Sequence, residues 1–322
     1  MRLRPIPDQP RSFALEEAGE ADRAMLGAHG LTLTPGGLAQ ASSTRLSEIL
    51  PVREWQIRSR TLVLERTLVM GIVNVTPDSF SDAGRYFAPE RAIAHAERLL
   101  AEGADILDIG AESTRPGHLP VPPDEEWARL EPVLEAVVHR SPAPVSVDTR
   151  SAEVARRALD LGVDIINDVS GLNDDGTLGA AVAAANAGYV GMVNGDPISR
   201  QQDAVAFAAD GMLAVARRAE AAGIARPCTM LDPGFGFAIR GSSNLGLLRR
   251  FDELTLLGYP LLAGMSRKWF IGQALNADVG NRLEGSLAAA VLAAWQGAAV
   301  LRVHDVEPTR KALSLVDAVV HQ

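Results

Sequence analysis

Of eight short apolar runs in this 322-residue chain, seven end in side chains able to do chemistry, and these side chains sort into two groups. The first carries carboxylates and amides: Asp148 closes PVSVD, Asn167 and Asp168 close DIIND, and Asp232 closes TMLD. Such groups, brought together from neighbouring runs, can pair with a planar heterocycle presenting several N–H donors and ring acceptors, as a pterin or purine edge does. The second group holds donors and positive charge: Thr114, Arg115, Arg267, Lys268, Arg302 and His304. In a chain of net charge -9, that cluster points to an anionic ligand, a phosphate or a carboxylate. Only two of the 31 basic residues are lysines, so Lys268 marks a place that favours a compact ammonium.

Together the groups suggest a heterocycle bearing a phosphate or pyrophosphate. A departing pyrophosphate needs its developing charge neutralised by Arg, Lys and a divalent ion. Asn74 and Asp82 are oxygen donors of the hard kind that magnesium takes. No residue presents itself as a nucleophile: Cys228, the single cysteine, precedes the sixth run, and no Ser-His-Asp order is visible. The competing explanation is structural. Asp148, Asn167 and Asp232 can cap the helices that follow them, and Arg302 can pair with nearby Asp305.

The elements that must position these groups follow a strand–helix rhythm. The runs lie at 68–75, 105–112, 144–149, 164–171, 188–193, 229–234, 260–266 and 299–306. Continuous apolar runs of this length suit strands of a parallel sheet buried on both faces. Amphipathic segments fill the gaps: Ile93, Ala96 and Leu100 recur at helical spacing, and Ser151 and Gly162 bracket another helix as caps. Later helices are expected at DAVAFAADGMLAVARRAEAAG, NLGLLRRFDELTLLG, GSLAAAVLAAWQG and EPTRKALSLVDAVV. Eight such units match a (β/α)8 TIM barrel, whose chemistry sits at the C-terminal ends of its strands. The alternative, a doubly wound open sheet, lacks a G-x-G-x-x-G after the first strand.

Residues 1–66 form an N-terminal extension of no evident chemical role, read as a small helical segment, with GEADRAMLGAHG as its helix, or a packing arm; residues 67–322 form the barrel. The composition, 47% hydrophobic and 22% charged, is that of a globular protein. No basic face for nucleic acid, apolar membrane span, signal-peptide core or disulfide framework is evident, which leads us to expect a cytoplasmic enzyme.

At these same residues the chain resembles dihydropteroate synthases of folate biosynthesis. The matching stretches are MGIVNVTPDSFSDAG, GADILDIGAESTRPG, VSVDT, IINDVSG, LDPGFGF, GMSRKWFIG and RVHDV, in family order over roughly residues 66 to 310. The resemblance implies a TIM barrel that condenses 6-hydroxymethyl-7,8-dihydropterin pyrophosphate with p-aminobenzoate, giving 7,8-dihydropteroate and pyrophosphate with the help of Mg2+. It implies that Asp148, Asn167, Asp232 and Lys268 hold the pterin, and that Asn74, Thr114, Arg302 and His304 surround the pyrophosphate. Asn74 and Asp82 would ligate the metal, and Phe80, Arg115, Pro116, Phe237 and Ser266 would line the p-aminobenzoate pocket. Asp82, Arg115 and Lys268 would carry catalysis, with VTPDSFSD and STRPG as loops that close over the substrates. The family's homodimeric state and its sensitivity to sulfonamides come with the resemblance.

Two departures stand out. Ala238-Ile239 replaces the family's Gly-Lys, with Arg240 next, and Met192-Val193 replaces a His-Met pair. They bear on the p-aminobenzoate side. The alternatives are a methyltransferase-type pterin barrel, which needs no pyrophosphate cluster, and a pterin binder without turnover, for which Ile239 is the hint.

Overall fold

The computed structural model describes residues 2–9, 11–16, 31–33, 38–41, 52–58, 60–75, 88–112, 121–173, 176–199 and 202–320. In the extension, β1 (Arg2–Pro5), β2 (Ser12–Glu16), β3 (Leu31–Leu33) and β4 (Leu38–Ala41) form an antiparallel sheet in the order β1-β2-β4-β3. The helix expected within residues 19–30 lies outside the described residues. What is described is extended chain, packed against the rest: Leu3 and Phe13 are buried, and the Leu3 amide donates to the Leu256 carbonyl at 3.2 Å. A hairpin follows, β5 (Glu54–Ile57) and β6 (Arg60–Val63).

The eight expected runs are the eight barrel strands: β7 (Leu68–Asn74), β8 (Ile106–Gly110), β9 (Val145–Asp148), β10 (Ile165–Asp168), β11 (Gly188–Met192), β12 (Thr229–Asp232), β13 (Leu262–Ala263) and β14 (Val300–Val303). All neighbours in the order β12-β11-β10-β9-β8-β7-β14-β13 are parallel. A parallel bridge from Leu231 to Leu261, with the Leu231 amide 3.0 Å from the Pro260 carbonyl, closes the ring.

The described helices are α1 (Ala88–Ala101), α2 (Pro123–Val137), α3 (Ala152–Leu161), α4 (Thr177–Ala184) and α5 (Ala204–Ala221). They continue as α6 (Ser243–Arg249), α7 (Asp252–Thr255), α8 (Trp269–Leu275), α9 (Leu283–Trp295) and α10 (Val306–Val320). The caps of α3 are those its sequence signals: the Ser151 hydroxyl accepts from the Val154 amide at 3.3 Å, and Gly162 sits at φ +105°. The stretch read as one helix, NLGLLRRFDELTLLG, is two, α6 and α7. They part at Arg250, whose guanidinium is held by Glu253 and Asp203 at 2.8 and 2.6 Å.

Side chains alternate across each strand and so build two separate cores. Val69 and Val73 face outward to Ala92, Ala96 and Leu99 of α1. Leu68 and Met70 face inward with Ile106, Ile165, Val190, Met230, Leu262 and Val300. That inner layer is sealed from below by the hairpin, whose Trp55 and Ile57 are fully buried against it. The Trp55 indole N–H donates to the Cys228 carbonyl at 2.8 Å, so burying the ring leaves no polar atom unpaired. The floor is therefore apolar and closed, and the polar ends of the strands gather at the opposite mouth.

Candidate active site

Four barrel strands deliver a connected polar cluster to the mouth. Arg302, on β14, reaches across the barrel, its Nε donating to Asp108 Oδ2 of β8 at 2.6 Å and its Nη2 to Asp148 Oδ2 of β9 at 2.7 Å. Asn167, on β10, donates to the same Asp108 oxygen at 3.1 Å. All three partners are buried. Asp108 was not among the site residues expected from the sequence. The available signal was a carboxylate inside the apolar run DILDIG, where an unpaired charge would be costly.

One oxygen is left over on each acid. Among the described residues, Asp108 Oδ1, Asp148 Oδ1 and the Ser146 hydroxyl are buried without a hydrogen-bond partner. A buried acceptor without a donor costs about 1–3 kcal/mol, and a ligand N–H removes that cost. Burial pushes the Asp148 carboxyl upward, Arg302 pulls against it and Asp108 adds to it.

A second pair closes the other side. Asp232 Oδ1 accepts from the Gly234 amide at 2.8 Å. Burial raises the Asp232 pKa, and the nearby Lys268 opposes the rise. Lys268 donates to the Phe235 carbonyl, and its ammonium stands 4.5 Å from the Phe237 ring centroid. Burial lowers its pKa to about 8, with Asp232 working the other way. Gly236, at φ +77°, allows this passage: a Cβ there would lie 3.1 Å from the Lys268 side chain. Gly264 lies beside both pairs. A Cβ on Gly264 would stand 3.9 Å from Asp232 Oδ2 and 3.8 Å from Arg302 Cβ.

The remaining expected residues fall at the rim or outside the described chain. The Ser266 hydroxyl lies 3.0 Å from His304 Nδ1 and accepts from the His304 amide at 3.2 Å. Asn74 is exposed at the end of β7. Phe80, Asp82, Thr114, Arg115 and Pro116 lie outside the described residues. Arg267 is turned toward Asp305, at 3.0 and 2.5 Å, so the pairing considered for Arg302 belongs to Arg267 instead. Asp168 is taken up by local structure, accepting from Ser170, the Leu172 amide and the Tyr189 hydroxyl. Asn194 likewise serves the backbone, at the Val169 carbonyl and the Gly195 amide.

Of the two departures, Ile239 is fully buried in the outer core and bridges to Phe235. Arg240 is directed at the Phe237 carbonyl at 3.4 Å. Met192 is buried at the end of β11. No group of three or more His, Cys, Asp or Glu with a metal-holding arrangement occurs among the described residues. The donor chemistry nonetheless fits magnesium brought by a phosphorylated ligand, because that ion keeps one or two protein oxygens and takes the rest from phosphate and water. Asn74 is an oxygen donor of that kind, exposed at the end of β7.

The mouth thus offers acceptors for a ring on one side and donors for an anion on the other. Comparison with known proteins identifies the family. The model of the family described as pterin binding enzyme matches residues 70–304. The dihydropteroate synthase of Escherichia coli K12 is 44% identical over 263 residues, covering 80% of this chain and 93% of its own. The structure of Xanthomonas albilineans dihydropteroate synthase with 4-aminobenzoic acid superposes with a TM-score of 0.79 at 44% identity, covering 83% of this chain and 98% of that one. The Thermus thermophilus enzyme, in complex with 6HMPPP, gives a TM-score of 0.73 at 45% identity, with 83% and 100% covered.

Proposed function

Because the chain belongs to the pterin binding enzyme family, and within it to the dihydropteroate synthases, we propose that it condenses 6-hydroxymethyl-7,8-dihydropterin pyrophosphate with p-aminobenzoate, releasing 7,8-dihydropteroate and pyrophosphate. The observation that carries this reading is the buried polar cluster at the strand ends, in which Arg302 joins Asp108 and Asp148 while Asp148 Oδ1 is left without a hydrogen-bond partner among the described residues.

In this reading Asp148, Asn167 and Asp232 meet the polar edge of the pterin, with carboxylate and amide oxygens accepting its N–H groups. Lys268 donates to a ring acceptor from the opposite side. Arg302 holds Asp108 and Asp148 in place through its two hydrogen bonds, opposes the upward shift of the Asp148 carboxyl, and adds positive charge on the side of the leaving group. The C–O bond to pyrophosphate breaks with its electron pair going to the phosphate oxygen, leaving a cation stabilised by the electron-rich ring. The aromatic amine then supplies the pair for the new C–N bond and gives up a proton. No protein nucleophile takes part.

Thr114, His304 and Arg302 receive the pyrophosphate, while Phe80, Arg115, Pro116, Phe237 and Ser266 line the p-aminobenzoate side. Asn74 and Asp82 would hold Mg2+, which supplies charge neutralisation at the phosphates. Asp82 and Arg115 complete the catalytic set with Lys268. Ile239, the hint for a binder without turnover, instead serves the core.

In this reading the protein works in the cytoplasm as a homodimer. No helix among the described residues is long and apolar enough to cross a membrane. The exposed Trp269, Leu275, Leu292 and Trp295 on α8 and α9 give an apolar face of the kind a second copy covers; a monomer by light scattering would refute the dimer. The activity is tested by mixing protein, Mg2+, the pterin pyrophosphate and p-aminobenzoate and following pyrophosphate release. Release that depends on p-aminobenzoate, with dihydropteroate formed, supports the synthase. Tight pterin binding without product overturns it.

A further inference from the structure

Arg267 sits between two residues of the mouth, Ser266 and Lys268, and its backbone is left-handed, at φ +59°, although it carries a side chain. That turn matters for both neighbours. Residues two apart in extended chain share one side. Here Ser266 meets His304, just past β14, while Lys268 meets the Phe235 carbonyl, just past β12. Those strands flank β13 on its two sides. A left-handed conformation is costly for a residue with a Cβ and persists only where surrounding groups hold it.

The first turn of α9 holds it. The Ser286 hydroxyl, itself buried, accepts from the Arg267 amide at 2.9 Å and donates to the Arg282 carbonyl at 2.6 Å. Arg282, at the N-cap of α9, donates from Nη1 to the Arg267 carbonyl at 3.0 Å and from Nε to the Ala277 carbonyl at 3.2 Å. The two bonds at Arg267 fasten the peptide unit that joins Ser266 to Arg267 and the one that joins Arg267 to Lys268. The Arg267 side chain takes no part in this, being paired with Asp305. Arg282 is in turn seated against α8, where a Cβ on Gly272 would overlap its guanidinium.

Neither Arg282 nor Ser286 belongs to the groups assigned to ring, phosphate or metal above. We propose that they are positioning residues for the mouth: by clamping both peptide units of Arg267 they hold its left-handed turn, and so aim Lys268 at the ring and Ser266 at His304.

The inference rests on the reading of Lys268 as a donor to the pterin ring, and the experiment separates the two. Binding of 6-hydroxymethyl-7,8-dihydropterin pyrophosphate is measured by calorimetry, beside thermal melts, for wild type, R282M, S286A, G272A, K268A and the double variant K268A/R282M. R282M and S286A are each expected to lose about tenfold in affinity, as for one lost hydrogen bond. G272A keeps Arg282 but fills its seat, and alanine suits a helix better than glycine. It should lose affinity to a similar extent while its Tm stays at or above that of wild type. A merely structural clamp would move Tm and leave affinity alone. Added to K268A, R282M should cost less than about twofold, because its effect passes through the missing ammonium. Native affinity in R282M, S286A or G272A, or a further loss of about tenfold in the K268A background, overturns the proposal. If R282M does not fold, G272A decides. If K268A binds like wild type, the reading of Lys268 fails; if K268A loses binding while R282M and G272A keep theirs, the role of the clamp alone fails.

Discussion

Replacing Arg302 by methionine removes one cation and leaves two buried carboxylates facing each other. Arg302 makes hydrogen bonds of 2.6 and 2.7 Å to Asp108 and Asp148, which are 0% and 6% exposed. Removing one partner of a buried ion pair costs about 3–5 kcal/mol. The Arg302 side chain keeps 21% of its surface exposed, which places the expected loss toward the lower end, about 3 kcal/mol. For a chain of 322 residues that is a fall in Tm of roughly 4–5 °C.

The pH dependence supplies a sharper test. Asp148 titrates in the folded protein above its ordinary value of 3.8, and Arg302 is the group that restrains the rise. Without Arg302 the folded state holds the Asp148 proton still more tightly, whereas the unfolded state has already released it. The folded state then binds more protons, so stability falls as pH rises from about 4 through the folded pKa. The deficit of R302M relative to wild type should therefore be small at pH 5 and large at pH 8, and D148N in the R302M background should recover part of it. Thermal melts of the three proteins at both pH values measure this. Equal deficits at pH 5 and pH 8, or a loss below about 1 kcal/mol, would refute the reasoning.

Lys268→Ala should weaken pterin affinity about 10- to 100-fold, the worth of a hydrogen bond to a charged group, and turnover should fall with it; near-native kinetics would remove Lys268 from the site. In the wild type, affinity should also decline as pH rises through about 8, where the buried ammonium gives up its proton. Asn74→Ala should move the magnesium titration of activity to higher concentration, and an unchanged titration would count against Asn74 as a ligand. Trp55→Ala should cost about 3–5 kcal/mol of stability through the cavity it leaves, with KM values unaltered; altered KM values at native stability would mean that the floor communicates with the mouth.

How much could be read beforehand depended on where each residue's partners lie. The eight strands were legible because parallel strands buried on both faces leave continuous apolar runs in the sequence. The caps at Ser151 and Gly162 were legible because their partners are a few residues away. Helix α2 was not anticipated: Pro132 interrupts its pattern, and only its tertiary packing, through Trp127, Leu130 and Leu134, keeps it regular. Helix α4 was missed as well, being short and largely Ala and Leu with little amphipathic contrast.

At the mouth, sequence pattern located Asp148, Asn167, Asp232, Lys268 and Arg302 at strand ends. It was silent on which acids Arg302 meets, because Asp108 and Asp148 lie 194 and 154 residues away along the chain. It treated Arg267 and Arg302 alike, although the first turns outward to Asp305. The beta character of the extension was hidden for the same reason, since Trp55 and Ile57 take their meaning from strands that begin later in the chain.

That hairpin has a consequence for anyone cutting the gene. A fragment starting at Leu68 contains every barrel strand, yet it would uncork the cylinder and wet an apolar disc formed by Met70, Ile106, Ile165, Val190, Met230 and Val300. A fragment starting at Val52 keeps the stopper. The catalytic end of this molecule thus owes its solubility to a short ribbon seated at the opposite end of the barrel.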